Sequence, residues 1–390
     1  MTLHSHLAYR ENVGIIAAAQ RLILSFTALL AFLFQKHARV IFFIIVGVFF
    51  SLWSLGQTKR TWVPTSGGSW SVAGNWSPTG VPATNDTVVI GQSQTAAITG
   101  VPNITLSALL VFGNCQLEPT NANQTITINK QLHIDGASSF TLGLVNGKMS
   151  IVLASTATGN IQGLFQQNGA TPAGTFTCNG YLTIGAAGYI YGKGSFTLAA
   201  GATLRIASVN GITAGTANTG NIRVVGGRTY NASANYIYNG TAAQATGDGY
   251  PTALTGSLTI DNPGNTITLN GARTITTGSL KIMNGTFAAS TLLTVGNSAS
   301  AANASIQVKE GVFSGALQGN NWYNLIYQGT SKTSGPELTG NGLRNLTLNM
   351  DPAAVLSLAG SREIGGTLTL SSGILAVSAN NTFSLTSTSA

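Results

Sequence analysis

Ten carboxylates, two cysteines and, beyond residue 56, a single histidine are all that this 390-residue sequence offers for acid/base, nucleophilic or metal chemistry. Cleaving a glycosidic bond takes two carboxylates held about 5–10 Å apart. The nine acids beyond residue 56 are Asp86, Glu118, Asp135, Asp248, Asp261, Glu310, Glu337, Asp351 and Glu363, and no two stand within ten residues of each other. Only stacked turns of a repeat could join a pair, and Asp248 with Asp261 is the pair such stacking would favour. His133 in "QLHIDG" shares a strand face with Asp135, as a carboxylate orients an imidazole in a catalytic triad. No GxSxG elbow accompanies it, and Leu132 and Ile134 take the inward positions, so an exposed His–Asp pair is expected. "GLVNGKMS" (143–150) has GxxxGK spacing and Met149 where a phosphate loop needs a hydroxyl. Cys115 and Cys178 are 63 residues apart and form no metal-ligand spacing; one disulfide and two buried thiols both fit. No acidic repeat suggests calcium. The expectation is a protein that is not an enzyme, with no metal and no cofactor.

Binding chemistry rests on the aromatics. "TWVPTSGGSWSVAGNWSPTGVP" (61–82) holds Trp62, Trp70 and Trp76. Trp70 and Trp76, with Trp322 and Tyr323, are the candidates for stacking on a ligand such as a sugar ring. The competing reading makes the three N-terminal indoles a cover over the open end of a repeat stack, with "TVVI" (87–90) as its first rung and Asp86 turning the chain into it. Tyr236, Tyr238 and Tyr327 are read as anchors for loops along the flank.

The elements that must position these residues follow from composition. Charged residues make up 7% of the chain against about a quarter in ordinary soluble domains, and glycine alone supplies 48 positions. Apolar content of 44% is ample for a core. Segments such as "QTITIN", "SFTLG", "YLTIG", "SLTIDN", "TITLNG" and "SLKIMNG" alternate apolar and polar residues over four to six positions and are punctuated by Gly, Asn and Ser, the pattern of half-buried strands. No segment after residue 56 carries a helical period. A longer repeat underlies the strands: residues 236–287 align with 325–375 at an offset of 88–89, matching Tyr238 to Tyr327, Leu258 to Leu346 and Gly285 to Gly373. Stacked rungs place like side chains over like, which Thr, Ser and Asn tolerate and Lys does not. An all-β parallel solenoid (β-helix) is therefore expected, with antiparallel β-sandwich repeats as the alternative.

The formal charge of +8 does not mark nucleic-acid binding, because the positive residues are scattered singly. Four of them, Arg10, Arg21, Lys36 and Arg39, flank apolar segments near the N-terminus. Residues 39–56 combine an apolar run with small residues at −3 and −1 before Gln57, the pattern of a signal peptide, or alternatively of a membrane helix. Residues 1–38 read as an apolar leader, either an extra membrane helix or a stretch ahead of a later start. Residues 57–90 then form a Trp-rich N-terminal cap, 91–235 irregular rungs, 236–320 a first long repeat and 321–390 a second that ends early. The sequons at Asn103, Asn231, Asn239 and Asn345 follow from composition.

The pattern "TW…W…GNWS…GVP…D.VVI" at 61–90, with "Y.G..AQ.TG…P" at 238–251 and the strands after it, resembles the large exported repeat proteins of gram-negative bacteria. These include type IX secretion substrates and proteins like autotransporter passengers. The resemblance covers residues 57–390 and implies an extracellular or outer-surface location, with membrane contact only through the N-terminal segment. The function it implies is a non-enzymatic, adhesin-like scaffold whose partners are extracellular glycans or neighbouring surface proteins. A carbohydrate-binding or polysaccharide-degrading β-helix is the alternative.

Overall fold

The computed structural model describes residues 57–386 apart from 122, 144–146, 169–172 and 216. The readings placed on 1–38 and 39–56 lie outside the described residues. From Thr58 onward the chain forms one compact unit, so the divisions expected at 90, 235 and 320 fall inside a continuous body. Among the described residues there is no α-helix, only two short 3-10 turns at Ala73–Asn75 and Pro336–Leu338. None is long and apolar enough to cross a membrane.

The body is a parallel β-solenoid of about 13 turns. On its longest face, Val88 pairs with Leu109, Leu109 with Leu132 and, further along, Leu258 with Leu280, Leu280 with Ile306 and Ile306 with Leu325. Each step advances the chain by roughly 20 residues, about one rung spacing of 4.8 Å along the axis. The antiparallel sandwich is thereby replaced: Thr61 and Trp62 opposite Ser77 and Trp76 form the one antiparallel pairing among the described strands.

A turn has three sides. Leu132 and Ile134 face inward on one, Phe140 and Leu142 on the next, Ile151 and Leu153 on the third, and Ile161 re-enters the first directly against Ile134. Each inward position is fully buried, and the rings interlock: Phe140 meets Phe165 and Phe165 meets Phe176, both edge to face at 5.3 Å. Period-2 alternation makes this possible, because every second residue of each strand adds to the core and the others form the outer surface.

Long strands bend around corners through register shifts. Ser257–Thr268 pairs with Ser279–Val295 in register as far as Ile260 and Ile282, breaks at Asp261, and resumes at Thr266 opposite Thr286. Polar side chains fill that corner. Asn262 is fully buried and donates to the Ala242 carbonyl at 2.8 Å and to Gln244 Oε1 at 3.2 Å, while Gln244 donates to the carbonyls of Ile206 and Ser208. Buried amides cost little when satisfied this way.

Four rungs account for the 89-residue repeat: Tyr238 lies over Ile260, Ile260 over Ile282, Ile282 over Val308 and Val308 over Tyr327. Both tyrosines therefore occupy one inward column. Glycine enters the same corner before the strand in "GSLTI" and "GSLKI". A Cβ on Gly278 would lie inside the Gly256 carbonyl group, and one on Gly256 inside that of Ala234, so successive rungs approach as closely as glycine alone permits.

Candidate functional site

Trp62, Trp70 and Trp76 are each 1% exposed. Their rings pack edge to face, Trp62 on Trp76 at 4.8 Å and Trp70 on Trp76 at 4.7 Å. The Trp62 indole N–H donates to Gln94 Oε1 at 3.0 Å and that of Trp76 to the Trp70 carbonyl at 2.9 Å. Trp70 and Trp76 thus offer no ring face to a ligand. The first rung is not "TVVI" but Lys59–Trp62, which lies parallel against Thr87–Ile90. Asp86 ties this outer strand down and also closes the turn from Ala83 that leads into Thr87–Ile90. Its carboxylate accepts from the Thr58 N–H at 3.0 Å and the Ala83 N–H at 2.9 Å, with the Arg60 guanidinium 3.6 Å away.

Tyr323 is also buried, and so are Tyr236, Tyr238 and Tyr327, which point into the core from strands and anchor neighbouring turns from the inside rather than on the flank. The hydroxyls of Tyr238, Tyr323 and Tyr327 hold turns that follow, and that of Tyr236 donates back to the Asn231 carbonyl at 2.7 Å. Tyr238 donates to the Thr246 carbonyl at 2.6 Å, Tyr323 to the Glu337 carbonyl at 2.7 Å and Tyr327 to Glu337 Oε1 at 2.5 Å. Oε1 also accepts from the Gly335 N–H at 3.0 Å, so this 2%-exposed carboxylate braces the turn Pro336–Leu338. Burial pushes the hydroxyls of Tyr238 and Tyr327 well above their ordinary range.

The remaining chemical candidates are dispersed. His133 Nε2 and Asp135 Oδ1 are 4.0 Å apart, with the Phe112 ring beside the imidazole. Asp248 accepts from the Ala214 N–H, whereas Asp261 lies between Asn284 Nδ2 at 2.8 Å and Arg205 Nη2 at 3.5 Å, so stacking does not pair these two carboxylates with each other. Glu310 accepts from the Thr330 hydroxyl at 2.6 Å, which draws its pKa down. Cys115 and Cys178 are both free and buried, and burial pushes the Cys178 thiol up to about 12. Of the two readings left open for them, the buried thiols are the one observed. Among the described residues no group of three or more His, Cys, Asp or Glu could hold a metal ion.

Two of the depressions on the surface of the described residues are lined by polar side chains. The smaller, about 270 Å³, includes Gln94 and Asn114, whose amides are already engaged by Trp62 and by the Ser139 N–H. The larger, about 460 Å³, runs across the rungs from Asn235 to Asn324 and is lined by hydroxyls, amides and one cation, Lys281. Its floor is the outward side of the strands whose inward side is the Leu258–Leu280–Ile306 column. Beside it, Asn303 precedes Ala304 as Trp322 precedes that residue's partner Tyr323, which sets the half-buried Trp322 one rung away from a groove residue. The Arg344 guanidinium lies over the indole, 4.3 Å from its centroid. Of the four aromatic candidates, Trp322 alone keeps partial access to solvent. Sequence reasoning missed the groove's polar residues, although the recurrence of "GSLTI" and "GSLKI" carries their signal: the third and fifth letters are core, and the second and fourth must be surface.

No protein-family model, no curated protein and no solved structure matches the chain.

Proposed function

We propose that this chain is a non-enzymatic, exported β-solenoid scaffold of the adhesin-like kind. The observation that carries the reading is the use to which the chain puts its few reactive groups. Asp86 ties the first strand, Glu337 braces a turn, Asp261 bonds Asn284 across a rung, and Glu310 holds the Thr330 turn. A polysaccharide-cleaving site would instead aim two carboxylates at one bond. Rungs that contact only their neighbours build length and flat surface cheaply, which suits a stalk or display platform. The resemblance of residues 61–90 and 238–251 to gram-negative exported repeat proteins supports the location. Fractionating a gram-negative host that expresses the full chain tests it. Protein outside the cytoplasm, with its N-terminus at Gln57, is the expected result; a cytoplasmic chain retaining residues 1–56 would overturn export.

A further inference from the structure

The larger groove has the chemistry of a ligand site. Six of its side chains, Thr277, Ser279, Lys281, Asn303, Ser305 and Gln307, make no hydrogen bond or ion pair with any described residue. Polar side chains at the two ends of the groove are spent on the fold instead. Asn235 at the groove's own margin accepts from both the N–H and the hydroxyl of Ser257, and Asn324 donates to the Ala302 carbonyl. The free groups are also ordered relative to one another. Ser279 pairs with Ser305 and Lys281 with Gln307, so two columns run parallel to the solenoid axis, repeating at the rung spacing of about 4.8 Å. Gly256 and Gly278 bring the rungs together at the groove's edge where any side chain would collide.

Charge and polarity narrow the occupant. One lysine across five rungs is far too little positive charge to hold a nucleic acid, whose binding rests on several neutralised phosphates. No large apolar side chain lines the groove, which argues against an acyl chain or an amphipathic peptide. The strands beneath are paired on both sides, so no edge is open to an added peptide strand. Hydroxyls, amides and an ammonium in a shallow channel match a polyhydroxylated chain. The volume of about 460 Å³ falls within the range of small-ligand sites.

We propose that the groove from Asn235 to Asn324 binds a linear oligosaccharide laid along the solenoid axis, with Lys281 and Gln307 donating to successive sugar units and the Trp322 indole bordering the channel. A sugar unit in an extended chain advances by a distance close to one rung, so a linear glycan meets equivalent groups at each step. The site stands on the groove alone and is independent of where the protein resides.

The full chain applied to an array of linear neutral and uronic-acid oligosaccharides, followed by calorimetry on the bound ones, tests this. Binding should strengthen with chain length up to about four units. Lys281→Ala and Gln307→Ala should each weaken it about tenfold, the loss of one hydrogen bond to a charged or amide donor, with unchanged melting temperatures. Glu363→Gln, on the last turns, should leave affinity untouched. No binding at millimolar oligosaccharide, or binding that survives both groove substitutions, would overturn the proposal. Capture of a polar peptide in place of any glycan would overturn it equally.

Discussion

Three indoles account for much of the apolar bulk at the N-terminal end of the solenoid, and their surroundings decide what they do. An aromatic platform for sugars must leave one ring face bare. Trp62, Trp70 and Trp76 instead spend their faces and edges on one another. In a Trp53→Phe/Trp322→Phe variant, which leaves only these three, emission should be blue-shifted and acrylamide quenching weak. Efficient quenching would mean that the rings are open to solvent after all. Glu337 makes the same point for charge: an acid that reads as a potential catalyst is, in place, the acceptor that the Tyr327 hydroxyl and the Gly335 N–H require. Neither partner lies next to it in a recognisable motif, so sequence alone could not assign this role.

At the scale of elements, strand positions were legible because alternation specifies which side chains turn inward. Residues 181–184 and 257–260 were expected as strands and are. Corners were less legible. Whether a glycine serves a positive φ or a close approach depends on the neighbouring rung, which lies about 20 residues away in sequence. Gly278 is of the second kind. Gly278→Ala should cost about 2–3 kcal/mol by forcing rungs apart, measured by chemical denaturation. Gly91→Ala, where an added Cβ would meet nothing within 4 Å, should change stability by less than about 0.5 kcal/mol. Equal effects at both positions would remove rung contact as the reason for the glycine.

For the whole molecule, buried tyrosines set the alkaline limit. Burial raises the hydroxyl pKa of Tyr230, Tyr236, Tyr238, Tyr250, Tyr323 and Tyr327 above the ordinary value of 10. Above pH 10 the unfolded chain therefore holds fewer protons than the folded one, and stability falls as pH rises. Each such group contributes roughly 1.4 kcal/mol per pH unit in that range. Lys332 and Arg228, whose pKa values burial lowers, act in the opposite sense but are outnumbered by the tyrosines. The melting temperature should hold between pH 7 and 9 and drop steeply between pH 10 and 11.5; a flat profile through pH 11 would contradict burial of these hydroxyls.

The sequence by itself determined that the described part of the chain is all-β, that it is built of stacked repeats, and that its acids beyond residue 56 stand more than ten residues apart. Those conclusions rest on local quantities: alternation, composition and spacing. Only the tertiary structure decided which aromatics are hidden, that Asp248 and Asp261 go to different partners, and that Ser279, Lys281, Ser305 and Gln307 share one open groove. Such relations join residues a full turn or more apart, where parallel register, rather than any local pattern, sets what lies beside what.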